Sequence, residues 1–329
     1  MQPPHKLRVS RNLTLLYYFV VIVGVPIMDI RILAQEFYDY AHIIRGNTKA
    51  TINRFRWTIN CFVSDTGITD ISKVNYDATL AFFYRGRTIR KWSSASYRTY
   101  HVSLLVFFRW CVSKGVLHNN PIERIEKPKL EKRLPKKLSK ELALRLLEVV
   151  YNYPYKGYDK TFIRARNHAI FATFIFAGLR MKELLNLHLT DVDIEHYTLF
   201  IRQGKGSKDR VVPISYPLAQ SLQQYLAERN KLNKTCPEFF VSSNRNLGFT
   251  VSGLKRIIEL ARSCLGIHIN PHMLRHTFAT LMLEGGCDIY SLSKMMGHSD
   301  IKTTTIYLTA TTNHLRNQIT KHPLNTVSI

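Results

Sequence analysis

Between residues 121 and 140 the helical pattern of the chain breaks off and then resumes. Pro121, Pro128 and Pro135 interrupt any continuous helix, and the segment from Lys127 to Lys140 holds seven Lys/Arg against one Glu. A proline ring removes a backbone donor and crowds the preceding turn, so this stretch reads as an extended, positively charged linker. A chain of 329 residues divided in this way has to bury its apolar residues in two cores, one on each side.

On the N-terminal side apolar residues recur at helical spacing: Ile32, Leu33, Phe37, Ala41 and Ile44, then Ile52, Phe55, Ile59 and Phe62, which predicts two packed helices. Two more are expected near Tyr76 to Tyr84 and Ser94 to Lys114, the second with Tyr97, His101, Leu104, Leu105 and Phe108 as its buried stripe. Residues 29–120 are therefore expected to form an all-helical domain, 121–138 the basic linker, and 139–329 a second domain. Residues 1–28 stand apart as an N-terminal extension. Leu13 to Met28 carries no charge and follows Lys6, Arg8 and Arg11; it is short for a membrane span. It is either a signal or anchor, or it lies upstream of a working start at Met28, and the second reading is preferred.

Beyond the linker, Ser139 can cap a helix running through Leu142, Leu146 and Val149, and a longer helix is expected from about Phe162 to Ala177. Strand character follows. Thr198 to Arg202 and Val211 to Ile214 flank the glycine-rich run Gly204-Lys205-Gly206-Ser207-Lys208-Asp209, the pattern of a hairpin. The rest, to about Lys321, reads as helical.

Lys and Arg number 47 against 23 Asp and Glu, a formal charge of +24, so the partner is expected to be a polyanion, nucleic acid ahead of an anionic membrane. Cys61, Cys111, Cys236, Cys264 and Cys287 are widely separated, which suggests neither a disulfide framework nor a zinc site and fits a reducing cytoplasm.

Asn270-Pro271-His272-Met273-Leu274-Arg275-His276 has the marks of a helix start, with Asn as the cap and Pro at the first position. His272 and Arg275 are three apart at an end that favours anions, so they suggest a phosphate site. His272 and His276 have the spacing of a helical metal pair, but Met273 replaces the catalytic Glu of the zinc protease pattern, and no metal is expected. Downstream, Asp288 caps a helix that Gly297 ends, His298 follows, and a short helix from Ser299 or Asp300 leads to Tyr307. Taken singly each residue has an ordinary explanation: Arg180 can pair with Glu183, Lys205 can be a solvated turn residue, His298 a capping group, and Tyr307 is one of 17 tyrosines.

Together they resemble the tyrosine recombinases of the phage integrase family. Gly178-Leu179-Arg180-Met181-Lys182-Glu183-Leu184 is similar to the first arginine box of that family, Gly204-Lys205-Gly206-Ser207-Lys208-Asp209-Arg210 to its hairpin lysine, and His272-Met273-Leu274-Arg275-His276-Thr277 to its second box. Gly297-His298-Ser299 with Tyr307 completes the set in family order. The resemblance covers about residues 29–323 and is diffuse before Ser139; Leu308-Thr309 departs from the Thr-His that often follows the family's tyrosine.

The resemblance implies a mainly α protein: an all-helical DNA-clamping domain, and an α+β catalytic domain with a small antiparallel sheet and a C-terminal exchange tail. The implied catalytic set is Arg180, Lys205, His272, Arg275, His298 and Tyr307. The two arginines would clamp the phosphate, Tyr307 would attack it, Lys205 would protonate the leaving 5′ oxygen, His272 would take the tyrosine proton and His298 would bond the phosphate. Resemblance favours Lys205 over Lys208, which spacing alone does not separate. Glu183 is expected to hold Arg180. Lys127, Lys129, Lys132, Lys136, Lys208 and Arg210 are expected along the DNA. Neither metal nor cofactor is implied, and the partners are duplex DNA at a recombination site and further copies of the chain in a synaptic tetramer. A type IB topoisomerase and a non-catalytic DNA-binding protein on the same scaffold are the alternatives. A metal-dependent nuclease would have to use Asp191 and Asp193, which a loop after a helix explains better.

Overall fold

The computed structural model describes residues 28–130, 136–157, 159–202, 209–298, 302–305 and 307, and it divides into two compact units at Lys132/Arg133. The extension before Met28, the hairpin tip carrying Lys205 and Lys208, and the tail after Tyr307 lie outside the described residues, as does Lys132.

In the first unit α1 (Ile30–Asp39) runs on into a π-helical turn (Tyr40–Ile44), followed by α2 (Lys49–Thr66), α3 (Tyr76–Thr88) and α4 (Ser94–Ser113). Each helix starts on a residue whose side chain accepts a backbone N–H of the first turn: Asp29, Thr48, Asn75 and Ser93. The stripes predicted from the periodicity meet around Phe37, Phe62, Phe82, Phe107 and Phe108, all fully enclosed, except that Ile32 and Ile44, counted with them in the sequence, are exposed.

Both ends of the expected linker are packed into the units they adjoin. Ile122 and Ile125 are sunk in the first core, and His101 Nε2 lies 2.7 Å from the Ile125 carbonyl. At the far end Leu138 is buried in the second core, where its N–H donates to Thr277 Oγ1. Two isoleucines three apart bury enough apolar surface to hold a short turn in place. Lys127, Lys129 and Lys136 are exposed.

The second unit is built on α6 (Lys160–Ala177), whose residues are buried almost all round, as befits a helix packed on several sides. Around it lie α5 (Lys140–Asn152), α8 (Tyr216–Lys231) and α10 (Pro271–Glu284). The short α7 (Met181–Leu185) follows α6, and α9 (Val251–Leu265), α11 (Ile289–Met296) and α12 (Lys302–Thr305) complete the helices described. An antiparallel sheet of three strands, β1 (Val192–Asp193), β2 (Thr198–Ile201) and β3 (Arg210–Pro213), sits in the order β1-β2-β3. The expected hairpin is β2–β3, in a register that opposes Ile201 to Arg210. The two-residue β1 is too short to leave an alternating pattern in sequence.

Gly178 joins α6 to the site. Its φ of +61° ends the helix in the left-handed region, and a Cβ there would stand 2.2 Å from the Phe278 ring of α10. Only glycine permits both the turn and the close approach, and this contact brings Arg180 against α10. No helix among the described residues is long and apolar enough to cross a membrane.

Candidate active site

Three segments of the second unit converge. The turn after α6 supplies Arg180 and, one turn into α7, Glu183. Helix α10, capped by Asn270 with Pro271 at its first position as expected, supplies Arg275 and His276. The end of α11, capped by Asp288 and closed by Gly297 at φ +61°, supplies His298 and leads to Tyr307. The C-terminal carbonyls of α11 have no partner within their own helix, and they carry the negative end of its dipole. Arginines occupy them: Arg210 Nε donates to Met295 O at 2.8 Å, Arg275 to Met296 O, and Arg180 to Gly297 O at 2.8 Å.

Glu183 stands between these guanidiniums. It accepts from the Arg180 N–H at 2.8 Å and Arg180 Nη1 at 2.6 Å, takes two bonds from Arg210 at 3.0 and 2.8 Å, and lies 4.0 Å from Arg275 Nη1. Burial opposes its ionisation, but Arg210 and then Arg180 outweigh burial and hold the carboxyl down at about 2. Arg275 is 5% exposed, and it also donates to Gly178 O at 2.6 Å. Burial, then the neighbouring Arg180, lower it to about 10, still far enough above neutral to remain charged.

Tyr307 is 2% exposed, packed with Phe278, Leu283, Leu292 and Met296. Its hydroxyl lies 2.7 Å from Nδ1 of His276. Burial raises the phenol above its ordinary value, while Arg275 and Arg180 pull it down. His276 is lowered by burial, then by His272 and Arg275, which favours the neutral imidazole, the form with a ring nitrogen able to accept. His298 Nδ1 is 2.8 Å from Thr304 Oγ1.

Arg180, Arg275, His298 and Tyr307 of the expected set are thus brought together. His272 is exposed at the second position of α10, near enough to His276 to lower it, and the histidine on the tyrosine is His276, one turn further on. The sequence carries that signal as the i, i+4 pair of His272 and His276. Arg210, expected along the DNA, has its side chain only 10% exposed and bound to Glu183 and Met295. Lys205 and Lys208 lie outside the described residues. Asp191 is 3% exposed, accepting from the His188 N–H at 3.0 Å and Arg202 Nε at 2.6 Å. Asp193 bonds His196. The two carboxylates brace the loop before the hairpin.

Comparison with known proteins gives the family and the fold. The model of the phage integrase family matches residues 136–314. Tyrosine recombinase XerA of Pyrococcus horikoshii is 32% identical over 292 residues, covering 88% of this chain and 93% of the relative. Tyrosine recombinase XerC of Oceanobacillus iheyensis is 30% identical over 302 residues, covering 88% and 95%. Among solved structures, the XerH site-specific recombinase bound to palindromic difH substrate in a post-cleavage complex superposes with a TM-score of 0.69 at 21% identity, over 88% of this chain and 83% of that one. A lambda integrase dimer bound to a COC′ core site gives 0.65 at 16% identity, over 91% and 81%. At these identities the structures speak for the fold. The chain belongs to the phage integrase family, and it is a tyrosine recombinase.

Proposed function

We propose that this recombinase cuts duplex DNA at a specific site with Tyr307 as the nucleophile, and exchanges strands between two such sites within a tetramer in the cytoplasm. The observation that supports this best is the Tyr307 hydroxyl on a neutral His276, beside two arginines braced by Glu183. A phosphodiester is anionic, and its transition state concentrates charge on the non-bridging oxygens. Arg180 and Arg275 each carry five N–H donors, so bonds to carbonyls and to Glu183 leave donors for those oxygens, with His298 adding another.

In the reaction Tyr307 Oη attacks phosphorus and its proton passes to His276 Nδ1. The bond to the 5′ oxygen breaks, that oxygen takes a proton from Lys205, and a 3′-phosphotyrosine forms. At 2% exposure the phenol meets a phosphate once the site opens on its DNA side with the contact to His276 kept. The bond energy stays in the phosphotyrosine, so the second transfer, to a partner strand's 5′ hydroxyl, needs neither ATP nor metal. Lys127, Lys129 and Lys136, exposed at the two ends of the linker, and Lys132 contribute sequence-independent phosphate contacts.

A plasmid bearing two copies of the target site tests the reading. Recombinant products are expected in the presence of EDTA, with binding that weakens steeply as salt rises. Relaxation of supercoils without recombinants would indicate a topoisomerase. Activity lost in EDTA and restored by Mg²⁺ would indicate a metal-dependent nuclease.

A further inference from the structure

Three guanidiniums face Glu183, but they do not share it equally. Arg210, the first residue of β3 and register partner of Ile201, lies on it with both prongs, Nη1 to Oε1 at 3.0 Å and Nη2 to Oε2 at 2.8 Å. That is the geometry in which a guanidinium matches a carboxylate best. Arg180 donates to the carboxylate from one side-chain nitrogen, and Arg275 stands 4.0 Å away. The side chains of Arg210 and Glu183 are 10% and 6% exposed, against 23% for Arg180. Arg210 also lies under the turn into His298: its Nε holds Met295 O, and a Cβ on Gly297 would be 2.9 Å from its Nη1.

A buried carboxylate beside two phosphate-binding arginines competes with the phosphate for their donors. Left to itself, Glu183 would draw both. We infer that Arg210 is a positioning residue for strand cleavage: it takes up the charge of Glu183 and fixes the end of α11, so that Arg180 and Arg275 keep their charge and remaining donors for the phosphate. The inference rests on the reading of the site given above. It also explains why an arginine beside the expected hairpin lysine turns inward when the chain has so many cations on its surface.

The test is a double-mutant cycle read by single-turnover cleavage of a nicked suicide duplex, with DNA affinity and thermal unfolding measured on each variant. Arg210→Gln should slow cleavage at least about tenfold while changing affinity less than about threefold, because the loss falls on the transition state. In the Glu183→Gln background, where there is no charge to neutralise, the same change should cost clearly less than in the wild type, because only the hold on Met295 O remains to be lost. An equal loss in both backgrounds, or none in either, would overturn the inference. If Arg210→Gln does not fold, Arg210→Lys takes its place. It keeps the charge without the fork and should cleave faster than Arg180→Ala, and a loss as deep as that variant's would overturn the inference. Wild-type protein in the same assay separates the two levels. A wild type without adduct removes the functional reading and this inference with it, whereas a wild type with adduct and an unaffected Arg210→Gln removes this inference alone.

Discussion

Replacing Arg275 by alanine is expected to slow cleavage on the order of 10³-fold, the scale of losing a preorganised donor to a developing oxyanion. The same change should destabilise the second unit by about 2–6 kcal/mol, since it strips the partner from the buried carbonyls of Gly178 and Met296 and each orphaned group costs about 1–3 kcal/mol. Arg275→Lys should recover little of either, because one ammonium does not span two carbonyls and a phosphate. Arg180→Ala should lose cleavage with a smaller loss of stability, as its side chain is 23% exposed. Single-turnover cleavage and chemical denaturation, run on the same preparations, measure both. Cleavage by Arg275→Ala within about tenfold of wild type would remove it from the phosphate clamp.

The second large effect separates the two histidines of α10. His276→Gln is expected to slow adduct formation by on the order of 10²-fold or more, the usual scale for a general base. His272→Gln, altering an exposed side chain, should do so by less than about threefold, and the reverse order would restore the role the sequence suggested for His272. The pH dependence follows from the directions of the shifts. His276 must be neutral to accept, and its pKa lies below the 6.5 of an unperturbed histidine. The rate should therefore rise through the acid range with a midpoint under that value and hold level beyond it, with the phenol remaining protonated past 10.0. A midpoint above 6.5 would exclude a buried neutral imidazole as the base.

These residues also mark where the sequence was legible. Asn270 with Pro271, and Asp288 with Gly297, act within one or two turns, so their helix boundaries follow from local chemistry alone. The four N-terminal helices and the β2–β3 hairpin follow in the same way from periodicity. The choice between His272 and His276 does not. It depends on which side of α10 the Tyr307 segment returns to, a contact across 31 residues of chain. Arg210 looked like one more cation in a basic hairpin, because only the register with Ile201 and the packing of α11 turn it onto Glu183. The packing of the linker's first residues is hidden for a related reason: its prolines and lysines are conspicuous, whereas the burial of Ile122 and Ile125 is tertiary. The arginine boxes were legible as types, but the capping of Met295, Met296 and Gly297 by three guanidiniums was not, since it joins segments far apart in sequence.

The central claim is that Tyr307 forms the covalent bond to DNA, and mapping the adduct tests it most directly. Wild-type protein is trapped on a nicked suicide duplex, digested with protease, and the DNA-linked peptide identified by mass spectrometry. The phosphodiester link is expected on Tyr307 and at a 3′ phosphate, and Tyr307→Phe should bind the duplex with unchanged affinity and yield no adduct. An adduct mapped to another residue, or a protease-sensitive 3′ adduct that persists in Tyr307→Phe, would contradict the account.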